Sequence, residues 1–230
     1  MTLFERFSHF TLLDAAAVLF LFFCWLGIGW RIEHSSAREP STSLLIAGYR
    51  REWMQQMITR QPRIFDAQIL STLRQGTAFF ASTCVIAIGG ALALIGNTEQ
   101  LAGVAADIQR AAHPRTVWEI KLMVLALFLV NGFLKFVWAN RLFGYCAVLM
   151  AAVPNDPAHK DALPRADQAA EINITAARHF NRGLRALYFA LAAAAWLAGP
   201  IALGMAALIT VVVIWRREFA SHSRKVLQKS

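Results

Sequence analysis

Polar side chains that stand inside long apolar stretches are the residues of this sequence most able to do chemistry. Asn131 and Lys135 are four positions apart, so a helix places them on one face, while Ser82 and Thr83 stand in another apolar stretch and Arg141 follows Lys135. Basic groups along a water-filled path favour anions. These five residues therefore form a candidate polar path. The structural alternatives are that Lys135 reaches the lipid headgroups and that the hydroxyl groups bond back to their own helix.

A second group of candidates lies in the segment from 47 to 76, where aromatic and basic side chains recur at helical spacing. Its members are Arg50, Trp53, Arg60, Arg63 and Asp66. An amphipathic helix of this composition at a membrane edge is typical of the headgroup interface. The alternative is a cytoplasmic docking face for a partner subunit. Pro62 suits the first turn of a second helix, which we expect to continue into the next apolar stretch.

The histidine, cysteine and carboxylate residues, which usually bind cofactors and metals, lie at positions that do not favour such sites. Haem between membrane helices usually takes histidine ligands, whereas the six histidines fall outside the apolar stretches or at their edges. Cys24, Cys84 and Cys146 are isolated, without the paired spacing of a metal site. Asp66 and Glu119 are single carboxylates, which is poor support for acid–base catalysis on a lipid. We therefore predict no cofactor, no metal and no enzyme activity.

The composition indicates which environment must position these residues. Hydrophobic residues make up 57% of the 230 positions and charged residues 16%, whereas ordinary soluble domains have about 45–50% and about 25%. The formal net charge of +9 would suit nucleic acid or anionic lipid, and the apolar composition favours lipid. We predict a membrane protein whose partner is the lipid bilayer, with no nucleic acid bound.

Four apolar stretches approach or exceed the length of about 20 residues that crosses a bilayer. They run over about 10–30, 76–96, 117–138 and 186–215, with loops at about 31–75 and 139–185. We predict an all-α polytopic membrane helix bundle, a single domain over 1–230, with about four transmembrane helices and an amphipathic cytoplasmic helix. Gly199 and Pro200 divide the last stretch, which is either one long kinked helix, the interpretation we favour, or two short passes.

The distribution of lysine and arginine sets the expected orientation, because cytoplasmic loops carry the excess of these residues. Seven lie between positions 31 and 74 and six between 139 and 185, against one before the first stretch and two between 96 and 118. We therefore place both basic loops in the cytoplasm and the N-terminus on the outer side of the cell (inner) membrane. The basic C-terminal tail lies outside if the last stretch crosses once and inside if it crosses twice.

Four short motifs, in order along the chain, resemble the domain of unknown function 599 family. The first, Tyr-Arg-x-x-Trp-Met-x-x-Met-x-x-Arg-x-x-Arg-Ile-x-Asp, covers 49–66, and the second, Phe-Phe-Ala-Ser-Thr, covers 79–83. The third, Phe-x-Lys-Phe-x-Trp-x-x-Arg, covers 133–141, and the fourth, Asn-x-Gly-Leu-Arg-x-x-Tyr-Phe, covers 181–189. The resemblance extends over about 12–220. It implies an integral membrane protein with about four spans and without an established activity.

Two classes of function fit these observations. The first, which we favour, is a pore or carrier for a small ion or solute, formed as a homo-oligomer because four spans leave little room for a pore within one copy. The second is a non-catalytic accessory or scaffold subunit of a larger membrane complex. In that case the helix from Tyr49 to Arg63 is the docking face for the other subunits.

Overall fold

The structure, a computed structural model, describes residues 10–36, 38–97 and 115–228, and every regular element within these ranges is helical. The α-helices are α1 Leu12–Glu33, α2 Thr42–Met57, α3 Ile64–Gly96, α4 Arg115–Ala152, α5 Ala162–Ala194, α6 Pro200–Phe219 and α7 His222–Leu227. The prediction of an all-α fold is confirmed.

Long apolar runs make four helical segments of the described chain long enough to cross a membrane. They are Leu12–Glu33, Ile64–Gly96, Arg115–Ala152 and Pro200–Leu227. Helix α3 continues without interruption into the uncharged stretch, as predicted, but it begins at Ile64, so Pro62 lies just before the helix and not in its first turn. Helices α3 and α4 are longer than the hydrocarbon layer requires, so each also presents polar turns outside its apolar part.

The last apolar stretch differs from the favoured prediction of one kinked helix over 186–215. Helix α5 ends at Ala194, a 3-10 turn follows over Ala195–Ala198, and α6 begins at Pro200. Between them Gly199 has φ +121°, a conformation that glycine adopts at little cost. Proline also lacks the N–H that a continuous helix needs. The Gly199–Pro200 pair therefore ends one helix and starts another.

The chain forms two compact units, and each is described by itself. Unit 1 comprises the described residues of Met1–Arg31, Thr83–Gly132 and Leu184–Arg216. Unit 2 comprises the described residues of Ile32–Ser82, Phe133–Gly183 and Arg217–Ser230. Both units thus contain segments that are distant in the sequence.

Aromatic rings form the centre of unit 1. The ring of Phe128 on α4 stacks on that of Phe22 with centroids 5.3 Å apart, and it meets Trp25 edge-on at 5.1 Å. On the α5 side Phe189 lies 6.3 Å from the same ring, and both phenylalanines are buried. Large apolar rings therefore fill the space where α1, α4 and the end of α5 meet.

The contacts of unit 1 also give the direction of its helices. Phe189 of α5 faces Phe128 of α4, and Trp196, just after α5, faces Lys121, which is earlier in α4. As the residue numbers increase along α5, the numbers of the residues that face them on α4 decrease. The two segments are antiparallel.

Helix α6 then returns alongside α1. Trp196 lies beside Asp14 at the start of α1, whereas Trp215 near the end of α6 lies 5.5 Å from the guanidinium carbon of Arg31 near the end of α1. Helix α6 is thus parallel to α1. The chain reverses its direction at Gly199, so the segment 186–215 passes through unit 1 twice.

The core of unit 2 is built around α2. Met54 and Met57 are 0% exposed and pack with Phe143 of α4 and with a row of alanines on α5. These alanines are Ala162, Ala166, Ala169 and Ala170. Of the two interpretations of this helix, the one that places its apolar face in the lipid headgroups is wrong for Met54 and Met57, because protein side chains cover both.

The start of α2 and the C-terminal tail meet in unit 2. Ser41 caps α2, because its hydroxyl accepts a hydrogen bond from the backbone N of Leu44. Glu218 accepts hydrogen bonds from the backbone N and the hydroxyl of Ser43 at 3.1 and 2.9 Å. Arg224 Nε donates to the carbonyl of Pro40 at 2.9 Å. The basic tail therefore lies beside the first basic loop.

Candidate functional site

A buried carboxylate at the start of α1 is the first member of a charged cluster in unit 1. Asp14 is 9% exposed. Thr11 donates to its Oδ2 from the backbone N at 3.1 Å and from the hydroxyl at 2.7 Å. Trp196 Nε1, far along the chain, donates to Oδ1 at 2.8 Å. Both carboxylate oxygens thus have partners from a local turn and from the α5–α6 connection.

Lys121 of α4 brings a positive charge to the same place and is 4% exposed. Its Nζ lies 5.0 Å from the ring centroid of Trp118 and 5.8 Å from that of Trp196, within the range of cation–π attraction. Asp14 and Lys121 also attract each other electrostatically. We call Asp14, Lys121, Trp118 and Trp196 the charged cluster.

The charged cluster was not predicted from the sequence. Its available signal was that Asp14 and Lys121 each interrupt an apolar stretch, where an ionisable side chain is costly and usually has a partner and a function. Their pairing could not be read from the sequence, because α2 and α3 separate them along the chain. The shared partner, Trp196, lies in the α5–α6 connection, which was predicted as part of a continuous helix.

The residues of the predicted polar path fall in both units. In unit 2, Ser82 and Arg141 are exposed and Lys135 is half-buried, and no hydrogen bond or ion pair joins these three described residues. In unit 1, Thr83 is exposed and Asn131 is half-buried. The path stays a prediction.

The half-buried imidazole of His179 in unit 2 has a strongly basic surrounding. Burial lowers the pKa of His179, and the nearby cations Lys135, Arg182 and Arg178 lower it further, against the opposing effect of Glu33. The ion pair with Glu33 raises the pKa of Arg182, so this guanidinium keeps its charge. His179 Nδ1 is buried without a hydrogen-bond partner. The imidazole is therefore favoured in its neutral form.

Three residues of the predicted docking face meet one another inside unit 2. Asp66 is 0% exposed, and its Oδ1 accepts a hydrogen bond from Trp53 Nε1 at 2.7 Å and forms an ion pair with Arg60. Its Oδ2 is buried without a partner. Because Asp66 lies in the first turn of α3, its charge also suits the helix dipole. These contacts tie α2 to the start of α3, and the docking role stays a prediction.

Arg50 and Arg63 have other partners in unit 2. Arg50 donates to Asn173 Oδ1, and burial lowers the pKa of Arg50. Arg63 donates to the carbonyls of Val153 at 2.8 Å and Pro154 at 2.9 Å, just beyond the end of α4. Carbonyl groups at a helix C-terminus lack partners within the helix, so Arg63 stabilises this end of α4.

A groove of about 660 Å³ lies between α3 and α4 in unit 2, and we call it the lateral groove. Its lining residues are Met57, Arg63, Ala67, Leu70, Ser71, Arg74, Gln75, Ala78, Asn140, Ala147, Met150, Ala151 and Asn155. The guanidinium of Arg74 has no hydrogen bond or ion pair with the described residues. The groove therefore has the features of a ligand site.

The described residues contain no group of three or more His, Cys, Asp or Glu side chains arranged to hold a metal ion. The model of a family described as "Protein of unknown function, DUF599" matches residues 16–223. No curated protein and no solved structure matches the chain. The matched range contains Lys121, Trp196 and the lateral groove, and it begins just after Asp14.

Proposed function

The chain belongs to the DUF599 family of proteins of unknown function, so we propose a function from its own geometry: a carrier for a small ion or solute. The observation that supports this proposal is the burial of Asp14 and Lys121 within segments apolar enough to cross a membrane. In this proposal the protein works as a homo-oligomer in the cell (inner) membrane.

Burying two charged side chains in apolar segments costs free energy, and this cost favours a functional role for Asp14 and Lys121. An ionisable side chain is costly to bury in a membrane helix even near its end, as Asp14 and Lys121 are, and such residues commonly mark substrate or ion pathways. Asp14 retains Thr11 and Trp196 as hydrogen-bond partners when Lys121 changes its own partner. We therefore infer that an arriving anion pairs with the Lys121 ammonium in competition with Asp14.

The aromatic rings of unit 1 favour a carrier over a permanently open pore. Phe22, Trp25, Phe128 and Phe189 pack against one another where α1, α4 and α5 meet. An aqueous path through unit 1 would require these rings to move, so transport there must involve a conformational change. A pore between copies of the chain is the alternative within the same class of function.

The reversal at Gly199 supports an orientation with five crossings: the four candidate spans and, between the third and the last of them, the shorter part of α5 that lies in unit 1, together with the 3-10 turn that follows it. If α5 carries the chain outward and α6 carries it back, the basic tail and the basic segment from 31 to 74 share the cytoplasmic side. The N-terminus then lies outside. This arrangement also agrees with the hydrogen bond between Arg224 and Pro40 in unit 2.

Flux into proteoliposomes tests the carrier proposal. Purified protein is reconstituted, and the entry of chloride and of inorganic phosphate is compared with that of empty liposomes. We expect flux above the empty-liposome level for at least one anion. The double variant Asp14→Asn with Lys121→Met removes both charges without leaving either one unpaired, so we expect it to fold and its flux to fall to that level.

The matched control is Glu119→Gln, since Glu119 lies on the same helix as Lys121 but forms a pair at 2.9 Å with Arg115 near the surface. This variant should retain the wild-type rate. Equal flux in the wild type and the double variant would contradict the role of the charged cluster. Absence of all flux, together with a stoichiometric foreign subunit found by mass spectrometry after mild-detergent purification, would favour the accessory-subunit alternative.

A further inference from the structure

The lateral groove of unit 2 has the size and the openness of a ligand site that the carrier proposal does not use. Its volume of about 660 Å³ falls within the range of about 300–1,000 Å³ that is usual for pockets binding small molecules. Its walls belong mainly to α3 and α4, two helices that contain candidate membrane spans.

Both walls of the groove contain small side chains. Ala67, Ser71 and Ala78 lie along α3, and Ala147 and Ala151 are one turn apart on α4. Ala67, Ala78 and Ala151 are exposed, so the groove opens sideways along the helices and is not enclosed. An opening of this kind admits a long apolar chain as well as a compact ion.

One end of the groove reaches the point where α3 passes from charged to uncharged sequence. Arg74 is the last charged residue before an uncharged run over 75–98, and Ala78 stands inside that run. In the proposed orientation this boundary is the cytoplasmic edge of the hydrocarbon layer. Arg74 then stands at the level of lipid phosphates, and the α3 wall beyond Ala78 is at the level of acyl chains.

The groove carries positive charge without a counter-ion. The Arg74 guanidinium has no partner among the described residues, and Arg63 has a buried Nε without a hydrogen-bond partner. Asn140 Nδ2 donates to the carbonyl of Arg74 at 3.1 Å and to the hydroxyl of Thr77 at 2.9 Å, which fixes α3 against α4 at this point. The backbone of Arg74 is therefore held against α4, while its exposed guanidinium remains available.

We propose that the lateral groove binds the phosphate headgroup of an anionic membrane lipid, with the phosphate on Arg74 and the acyl chains leaving past Ala78. Arginine binds phosphate through two parallel charge-assisted hydrogen bonds. Basic pockets between membrane helices on the cytoplasmic side are a recognised setting for such headgroups. A soluble phosphate would use Arg74 but would gain nothing from the apolar sideways opening, which is why we infer a lipid.

Native mass spectrometry of the purified full chain tests this proposal. The protein is released from detergent in the presence of phosphatidylglycerol, phosphatidylcholine or inorganic phosphate, and the bound mass is measured over a range of concentrations. We expect one saturable phosphatidylglycerol adduct per chain. Phosphatidylcholine should bind more weakly, since its headgroup carries no net charge.

Two variants change the groove, and a third is a control that removes one positive charge outside the groove. Arg74→Gln should weaken phosphatidylglycerol binding by about tenfold or more, the effect of losing a charged hydrogen bond. Ala78→Phe places a ring in the open end of the groove without changing the charge, and it should also weaken binding. Arg178→Gln removes the same charge from an exposed position on α5 outside the groove and should bind as the wild type does.

Several results would overturn the inference. Equal affinity for the two lipids, or no change in Arg74→Gln, would show that Arg74 does not select the headgroup. Competition by inorganic phosphate as effective as that by the lipid would assign the site to a soluble anion. A homodimer without bound lipid that dissociates in Ala78→Phe would assign the groove to a second copy. Because the readout is binding, these results are independent of the flux measurement.

Discussion

The charged cluster of unit 1 and the lateral groove of unit 2 hold ionic side chains under opposite conditions. Asp14 and Lys121 are buried, carry opposite charges and share Trp196 as a partner. Arg74 lines an open groove and has no ion pair with the residues that the structure describes. A ligand that enters the charged cluster must compete with an internal partner, whereas a ligand of the groove meets an available cation. The first arrangement suits exchange during transport, and the second suits stable binding.

The largest loss of stability is expected when one of the two charges of the charged cluster is removed and the other stays. Asp14→Asn should lower the free energy of unfolding by about 3 kcal/mol or more, because it removes the charge that accepts three hydrogen bonds, each worth about 1.5–3 kcal/mol, and leaves Lys121 buried without the attraction of a carboxylate. Lys121→Met should cost less, because Asp14 keeps those hydrogen bonds. The double variant should recover the part of the loss that comes from the unpaired Lys121. Denaturant unfolding in detergent measures all three. Single variants as stable as the wild type would contradict the pairing of the two charges.

A smaller loss is expected at the buried carboxylate of unit 2. Asp66→Asn removes the charge that Arg60 and Trp53 contact, and each hydrogen bond to a charged group contributes about 1.5–3 kcal/mol. Asp161→Asn is the matched control, because its pair with Arg165 is exposed and worth about 0–1 kcal/mol. The same unfolding measurement compares them. Equal losses would mean that burial does not distinguish the two carboxylates.

Packing in unit 2, away from the groove, is the next test. A Cβ added at Gly183 would lie 2.7 Å from Cε1 of Phe136, so Gly183→Ala should destabilise the protein by about 1–3 kcal/mol. Adding Phe136→Leu should restore part of the loss. Gly144→Ala, with no atom within 4 Å of its added Cβ, should be neutral or stabilising. If both alanine variants behave alike in thermal unfolding, the close contact is not present.

The smallest effect concerns pH. The pKa of His179 is lowered from its ordinary value of 6.5, so the unfolded chain binds more protons there than the folded chain. The resulting contribution to stability is complete above pH 6.5 and is lost as the pH falls through the folded pKa. His179→Gln should therefore flatten the decline in melting temperature between pH 7 and pH 5. An unchanged decline would exclude His179 as its source.

The apolar runs sufficed to predict the helical fold and most of its spans. An uncharged run such as 75–96 forms a helix in a membrane because a helix pairs its own backbone N–H and C=O groups. Its local composition is therefore enough to predict its structure. The continuation from Pro62 into α3 was predictable for the same reason, because the proline marks where a helix begins.

Other features depended on packing that the sequence does not encode locally. The methionine stripe of α2 fits lipid and protein equally well, and only the fold shows that α4 and α5 cover Met54 and Met57. Gly199–Pro200 allows a kink or a reversal, and the contacts of Trp196 and Trp215 with α1 decide for the reversal. The charged cluster required the same long-range information, since its members come from three separate segments.

Side-specific labelling of single cysteines tests most directly the central claim that the chain reverses at Gly199 within the membrane. Three variants, Arg38→Cys, Asn97→Cys and Ser223→Cys, each at an exposed position, are treated with a membrane-impermeant maleimide in right-side-out vesicles, where the buried Cys24, Cys84 and Cys146 give little background. We predict labelling of Asn97→Cys in intact vesicles and labelling of Arg38→Cys and Ser223→Cys only after lysis. Labelling of Ser223→Cys in intact vesicles while Arg38→Cys stays protected would contradict the reversal, because that result requires a single final crossing.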